Sequence, residues 1–176
     1  MKWNRKQVAW SAFLVVLVLG MALVGSYRTF LGISAGHLEA DARKSQHIDE
    51  QWSVVSAVDD HLAGLLFYDE TKADFVFSVY INRPGVSFGY DFLSGGSNGE
   101  IMRSVKAYDY QTSCLLLSMN MPQAAVIVLN EGMENETAVE IDPNEPFAYV
   151  LPGGTETLAL YDRQGEMVPL GSVEIF

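Results

Sequence analysis

From residue 62 the chain keeps a hydrophobic period of two, and this restricts it to a β fold. In FVFSVYI (75–81), Phe75, Phe77, Val79 and Ile81 share one side. In VSFGYDF (86–92), Val86, Phe88, Tyr90 and Phe92 go one way, and Ser87, Gly89 and Asp91 the other. Alternation of this kind places one face in a core and the other in water. LAGLLFY (62–68), DETKAD (69–74) and FVFSVYI read as a hairpin, and Asn82-Arg83-Pro84-Gly85 as the next turn. Further apolar runs follow, separated by turn residues: IMRSVKAYDY, CLLLSM (114–119), AAVIVL (124–129), TAVEI (137–141), FAYVL (147–151), TLALY (157–161) and MVPLGSVEIF. Links this short exclude helical crossovers, so the strands pair antiparallel. The expected fold is mainly β: an antiparallel β-sandwich over residues 61–176, with immunoglobulin-like topology as one such arrangement, without its Cys…Trp…Cys signature.

The opening of the chain obeys a different rule. Residues 8–25 carry no charge, and ten of them are Leu, Val or Phe. At about 1.5 Å per residue, a helix over 8–28 spans the ~30 Å hydrocarbon core of a bilayer. Those ten residues favour insertion by roughly 3–6 kcal/mol. A cleavable signal has a shorter apolar core and a small-x-small site, and Ala40-Asp41-Ala42 lies too far downstream to serve. The segment is therefore expected to be a transmembrane anchor. Residues 1–7 form a basic tail in which Lys2, Arg5 and Lys6 set the orientation, N-terminus cytoplasmic and body extracytoplasmic. Trp10 and Tyr27 would mark the two membrane interfaces.

Residues 29–60 read as a juxtamembrane connector, partly helical. HLEADARKSQ contains Glu39 four residues before Arg43. In DEQWSVVSAVDD (49–60), Trp52, Val55 and Val58 recur at helical spacing, which favours a helix there as well.

Charge narrows the partners. Residues 1–28 carry four basic side chains and no acid, whereas the rest has 7 basic and 22 acidic residues, a net of −15. Phosphates of nucleic acid or anionic lipid would repel such a body. The expected partners are the bilayer, through residues 8–28, and another envelope or membrane protein. Homo-oligomerisation is left open.

Candidate chemistry is sparse. Cys114 is the single cysteine and reads as a buried small hydrophobe, so no intrachain disulfide forms. His61 follows Asp59 and Asp60, a solvated turn rather than a catalytic pair. SGGSNG (94–99) lacks the Lys-Ser or Lys-Thr of a phosphate cradle and reads as a hairpin loop. The acidic span 130–145 has cation-binding side chains but no twelve-residue EF-hand loop, and reads as a solvated loop. No cofactor, metal or catalytic residue is assigned. Most Tyr and Phe side chains alternate into the core; Tyr80 opposes that pattern and is the candidate exposed ring for a partner surface. The expectation is a tethered, non-catalytic binding or accessory module of the cell envelope. A pilin-like subunit is the alternative, without the prepilin Gly-Phe and downstream Glu; an exported hydrolase would need a cleft joining His61 to an acid and a nucleophile.

Overall fold

The computed structural model describes residues 10, 13–22, 32–83, 89–152, 155 and 157–176. Residues 13–22 are helical. A 3-10 turn at Ala35–His37 leads into helix α1 (Leu38–Gln46), where Glu39 and Arg43 form the expected i, i+4 pair at 2.8 Å. Strands β1 (Ser53–Val58), β2 (Leu62–Tyr68), β3 (Phe75–Asn82) and β4 (Tyr90–Gly96) follow. A short helix α2 (Gly99–Arg103) precedes β5 (Val105–Tyr110), β6 (Ser113–Ser118), β7 (Ala124–Leu129), β8 (Thr137–Glu140), β9 (Phe147–Pro152), β10 (Leu158–Asp162) and β11 (Leu170–Ile175).

The fold is mainly β, with antiparallel sheets. The first sheet is a meander, β1-β2-β3-β4. The second has the order β11-β5-β6-β9 and the third β10-β7-β8. Among the described residues every strand pairing is antiparallel except that of β11 with β5, which is parallel. The expectation of uniform antiparallel pairing fails there because β11 returns to its sheet only after the chain has built the third sheet. An immunoglobulin topology is not formed: that fold splits its early strands between two sheets, whereas β1 to β4 all lie in one.

Three apolar interfaces stack the layers. Leu62, Leu66, Phe77 and Val79 of the first sheet meet Tyr108, Leu115 and Leu117 of the second. The other face of the second sheet, through Val105, Ala107 and Leu116, meets Ala124, Ile127 and Leu160 of the third. The outer face of the first sheet, through Ala63, Leu65, Phe67 and Tyr80, is covered by Leu38 and Ala42 of α1. The order is therefore helix, sheet, sheet, sheet. It explains why LAGLLFY is apolar at successive positions: β2 is buried on both faces. The second sheet approaches so closely that a Cβ at Gly64 would lie 2.5 Å from Leu115 Cδ2. Full burial of a leucine such as Leu115 contributes about 1.5–3 kcal/mol.

Several expectations are corrected. Residues 53–58 form β1, not a helix: Val54 packs toward α1, while Val55 and Ala57 pack toward the second sheet. A strand with apolar side chains on both faces mimics a three-residue period. Residues 32–60 are not a free connector, since α1 and β1 belong to the packed body. The start of IMRSVKAYDY is helical because Asn98 caps α2, its side chain accepting from Glu100 N at 2.9 Å. In SGGSNG, Ser94–Gly96 extend β4 rather than form a loop. Of the expected anchor over 8–28, residues 8–9, 11–12 and 23–28 lie outside the described residues, as do Lys2, Arg5, Lys6 and Tyr27. Among the described residues no helix is long and apolar enough to cross a membrane. Trp10 is described, 68% exposed, with its ring edge-on to Phe13 at 6.2 Å.

Candidate functional site

Tyr80 is not a surface ring. It is fully buried beneath α1, and its hydroxyl donates to Asp41 Oδ2 at 2.9 Å. Burial, then the Asp41 bond and charge, push its phenol well above the usual range. The sequence pattern failed here because the supposedly wet face of β3 is covered by a helix. Gln46, one turn further along α1, donates to Phe77 O at 3.1 Å and also bonds Ser78 Oγ. Arg43 reinforces the dock: it donates to Asp49 O at 2.6 Å and Trp52 O at 3.0 Å, and lies 4.9 Å from the Phe67 ring centroid. The exposed ring in this region is Phe92, which packs edge-on against Tyr80 at 5.6 Å.

The hydrolase ingredients do meet in space. Asp59 Oδ1 accepts from His61 N at 2.9 Å and Leu62 N at 2.7 Å, and Asp59 Oδ2 accepts from Ser113 Oγ. Tyr90 donates to the Asp59 carbonyl. Burial raises the Asp59 pKa, but the Ser113 hydroxyl and the Leu62 and His61 amides outweigh it and hold the carboxyl below its usual value. The arrangement is not a nucleophilic relay. Ser113 is 3% exposed and donates to the carboxylate, while His61 Nδ1 is buried without a hydrogen-bond partner. A triad requires the imidazole between the two. This junction ties the β1–β2 turn to β4 and to the start of β6.

A second polar junction, invisible to motif reading, lies at the opposite end of the β5–β6 pair. Lys106 is 4% exposed, pairs with Glu174, and has Glu100 at 3.8 Å. Glu100 also accepts from Ser172 N and from Ser172 Oγ at 2.8 Å. These two bonds, helped by the nearby lysine, outweigh burial, which raises the Glu100 pKa, and hold it below the usual value. Phe176 stacks on Tyr108 at 6.4 Å. The available signal was a lysine sharing the core-facing parity of Tyr108 and Tyr110 in VKAYDY.

A cleft of about 580 Å³ opens across the third sheet, lined by Val126, Glu140, Asp142, Pro143, Asp162 and Arg163. Two of its carboxylates are engaged in turns: Asp142 Oδ1 accepts from Asn144 N at 2.9 Å, and Asp162 Oδ1 accepts from Gln164 N and Glu166 N at 2.9 and 2.8 Å. The acids of 130–145 do not converge: among the described residues there is no group of three or more His, Cys, Asp or Glu able to hold a metal. Cys114 is half-buried, and burial with the Asp109 charge pushes its thiol up to about 11. Comparison with known proteins adds no assignment to this geometry, because no family model, no curated protein and no solved structure matches the chain.

Proposed function

We propose that this chain is a single-pass membrane protein whose acidic β-body is held on the extracytoplasmic side and acts by binding another envelope or membrane protein, without chemistry of its own. One observation carries the reading. The apolar side chains of the helical stretch 13–22 are exposed all round, from 44% at Leu17 to 68% at Val16. A helix that is hydrophobic on every side needs a non-aqueous neighbour, and a bilayer is the simplest. The charge asymmetry supports the same arrangement, with four basic residues up to position 28 and a net of −15 beyond it. The polar junctions at Asp59 and Lys106 fasten strands together, which suits a rigid display surface.

The test is fractionation of cells expressing the full chain. The protein should stay with membranes through an alkaline carbonate wash, and external protease should remove the body from intact cells. Release by the wash, or a mature N-terminus near residue 27 or later, overturns the anchor. Shearing from cells as high-mass filaments would favour the pilin-like alternative.

A further inference from the structure

We propose that the end of the first two sheets at which the chain enters the body is a lipid-facing surface, seated on bilayer headgroups without net charge, with Val58, Ile175 and Phe92 as its apolar contacts. The inference rests on the anchor reading above and adds to it how the body stands on the membrane. The length of the tether carries it. Ile33 is fixed to the first residue of β4 by two bonds, Ile33 N to Tyr90 O and Tyr90 N to Ile33 O, each 2.8 Å. Gly32 is pressed against the same segment: a Cβ there would lie 2.4 Å from Gly89 C. Arg28, the last residue of the expected anchor, is five residues before Ile33. Five residues reach at most about 18 Å. The headgroup layer takes up about 5–7 Å of that reach. The body around Tyr90 is thus held close to lipid, while the far end of the first sheet stands about 25 Å higher, the length of β3.

The strand registers show what shares the near end. Tyr90 pairs with Asn82, Ile81 with Leu62, and Ala63 with Val58, so the end of β1 lies there. The second sheet is brought level by the bond from Ser113 Oγ to Asp59. Tyr110 pairs with Ser113, and β11, running parallel to β5, sets Ile175 beside Asp109. Val58 and Ile175 are 44% and 77% exposed, and the exposed ring of Phe92 lies two residues in from Tyr90. Apolar side chains left in water at the one end that the tether brings to a bilayer gain by entering its interface.

The acids are distributed to match. The far end of the first sheet holds Asp69, Glu70 and Asp74 in the β2–β3 turn, with Asp49 and Glu50 ahead of β1. At the near end Asp59 is taken up by Ser113 and two amides, and Asp91 and Asp109 are half-buried. The exposed Asp60 has the exposed Arg83 close by, since Asn82 donates to Asp60 O at 3.0 Å. Headgroups without net charge suit such an end, whereas anionic lipid would still meet the repulsion of a body with a net of −15.

The test uses the full chain with Cys114→Ser, reconstituted into phosphatidylcholine vesicles that contain a lipid bearing a headgroup nitroxide. A fluorophore is attached at Thr112→Cys in the β5–β6 turn or at Ala73→Cys in the β2–β3 turn, both exposed positions. The nitroxide should quench the probe at 112 strongly and the probe at 73 far less. Ile175→Asp or Val58→Asp should cut the quenching at 112 by about half or more. In protein that floats with the vesicles, equal quenching at the two positions, or none at either, overturns the seating and leaves the anchor standing. Quenching at 112 that is indifferent to both aspartate variants overturns the apolar contact. Should either variant fail to fold, the comparison of 112 with 73 still decides, because it uses neither. Protein that does not float with the vesicles overturns the anchor, and the seating with it.

Discussion

Asp59 and Lys106 both sit where distant parts of the chain meet, but they are satisfied differently. Asp59 is an anion held by neutral donors: two turn amides and the hydroxyl of Ser113, 54 residues away. Lys106 is a cation held by Glu174, with Glu100 close by. Neutral donors need no charge brought out of water to meet the carboxylate. An ion pair removes two charges from water and recovers the cost through their attraction. The first junction therefore fails as a whole when its one anion is removed, because three donors lose their acceptor, whereas the second keeps part of its compensation through Glu100 when Glu174 is lost.

The largest effect is expected from Asp59→Ala, which removes three accepted bonds and strands the buried Ser113 hydroxyl. It should destabilise the protein by about 3 kcal/mol in urea unfolding. Glu174→Ala should cost less, about 2 kcal/mol, because Glu174 is 38% exposed and Glu100 remains near Lys106. The sharper comparison is the pair Lys106→Met with Glu174→Leu, which should cost less than Glu174→Ala alone. If the double variant is the worse of the two, the ion pair is a net source of stability and the contrast drawn here fails. Acid separates the junctions further. The Asp59 pKa is lowered in the fold, so its contribution is complete above the ordinary carboxylate value near 4 and is lost as pH falls through the lowered value. Glu100 has the same sign. Asp59→Asn should therefore flatten the loss of stability between about pH 4 and pH 2, measured as urea midpoints. The smallest expected effect is chemical. With its thiol raised to about 11, Cys114 should react slowly with iodoacetamide at pH 7.5 in the native protein and quickly in urea.

Alternation made the β2–β3 hairpin and the runs of β6, β7, β9 and β10 legible, because each has at least one face in a core. It misplaced Tyr80 for the same reason that it succeeded elsewhere. Period two reports that faces differ, and it is silent when a helix from an earlier segment buries the second face as well. Trp52, Val55 and Val58 mimicked a helix because Val54 and Val55 of β1 pack into different cores, Trp52 lies just before the strand, and Val58 is an apolar side chain left exposed. The parallel seat of β11 beside β5 depends on Ser172, Glu174 and Phe176 finding Glu100, Lys106 and Tyr108, a match between segments far apart in sequence that no local period encodes. The polar junctions were hidden likewise. Asp59 looks like a turn residue until Ser113 arrives from another sheet.

The inner strands of the second sheet, β5 and β6, are covered on both faces, and this governs how the molecule comes apart. Water reaches β5 and β6 only after a neighbouring layer has lifted, so their amides should exchange with deuterium last, in step with global unfolding, while α1 and β8 exchange through smaller openings. Loads applied at the periphery would thus be absorbed by the outer layers, and the spine beneath would yield only when everything around it had gone.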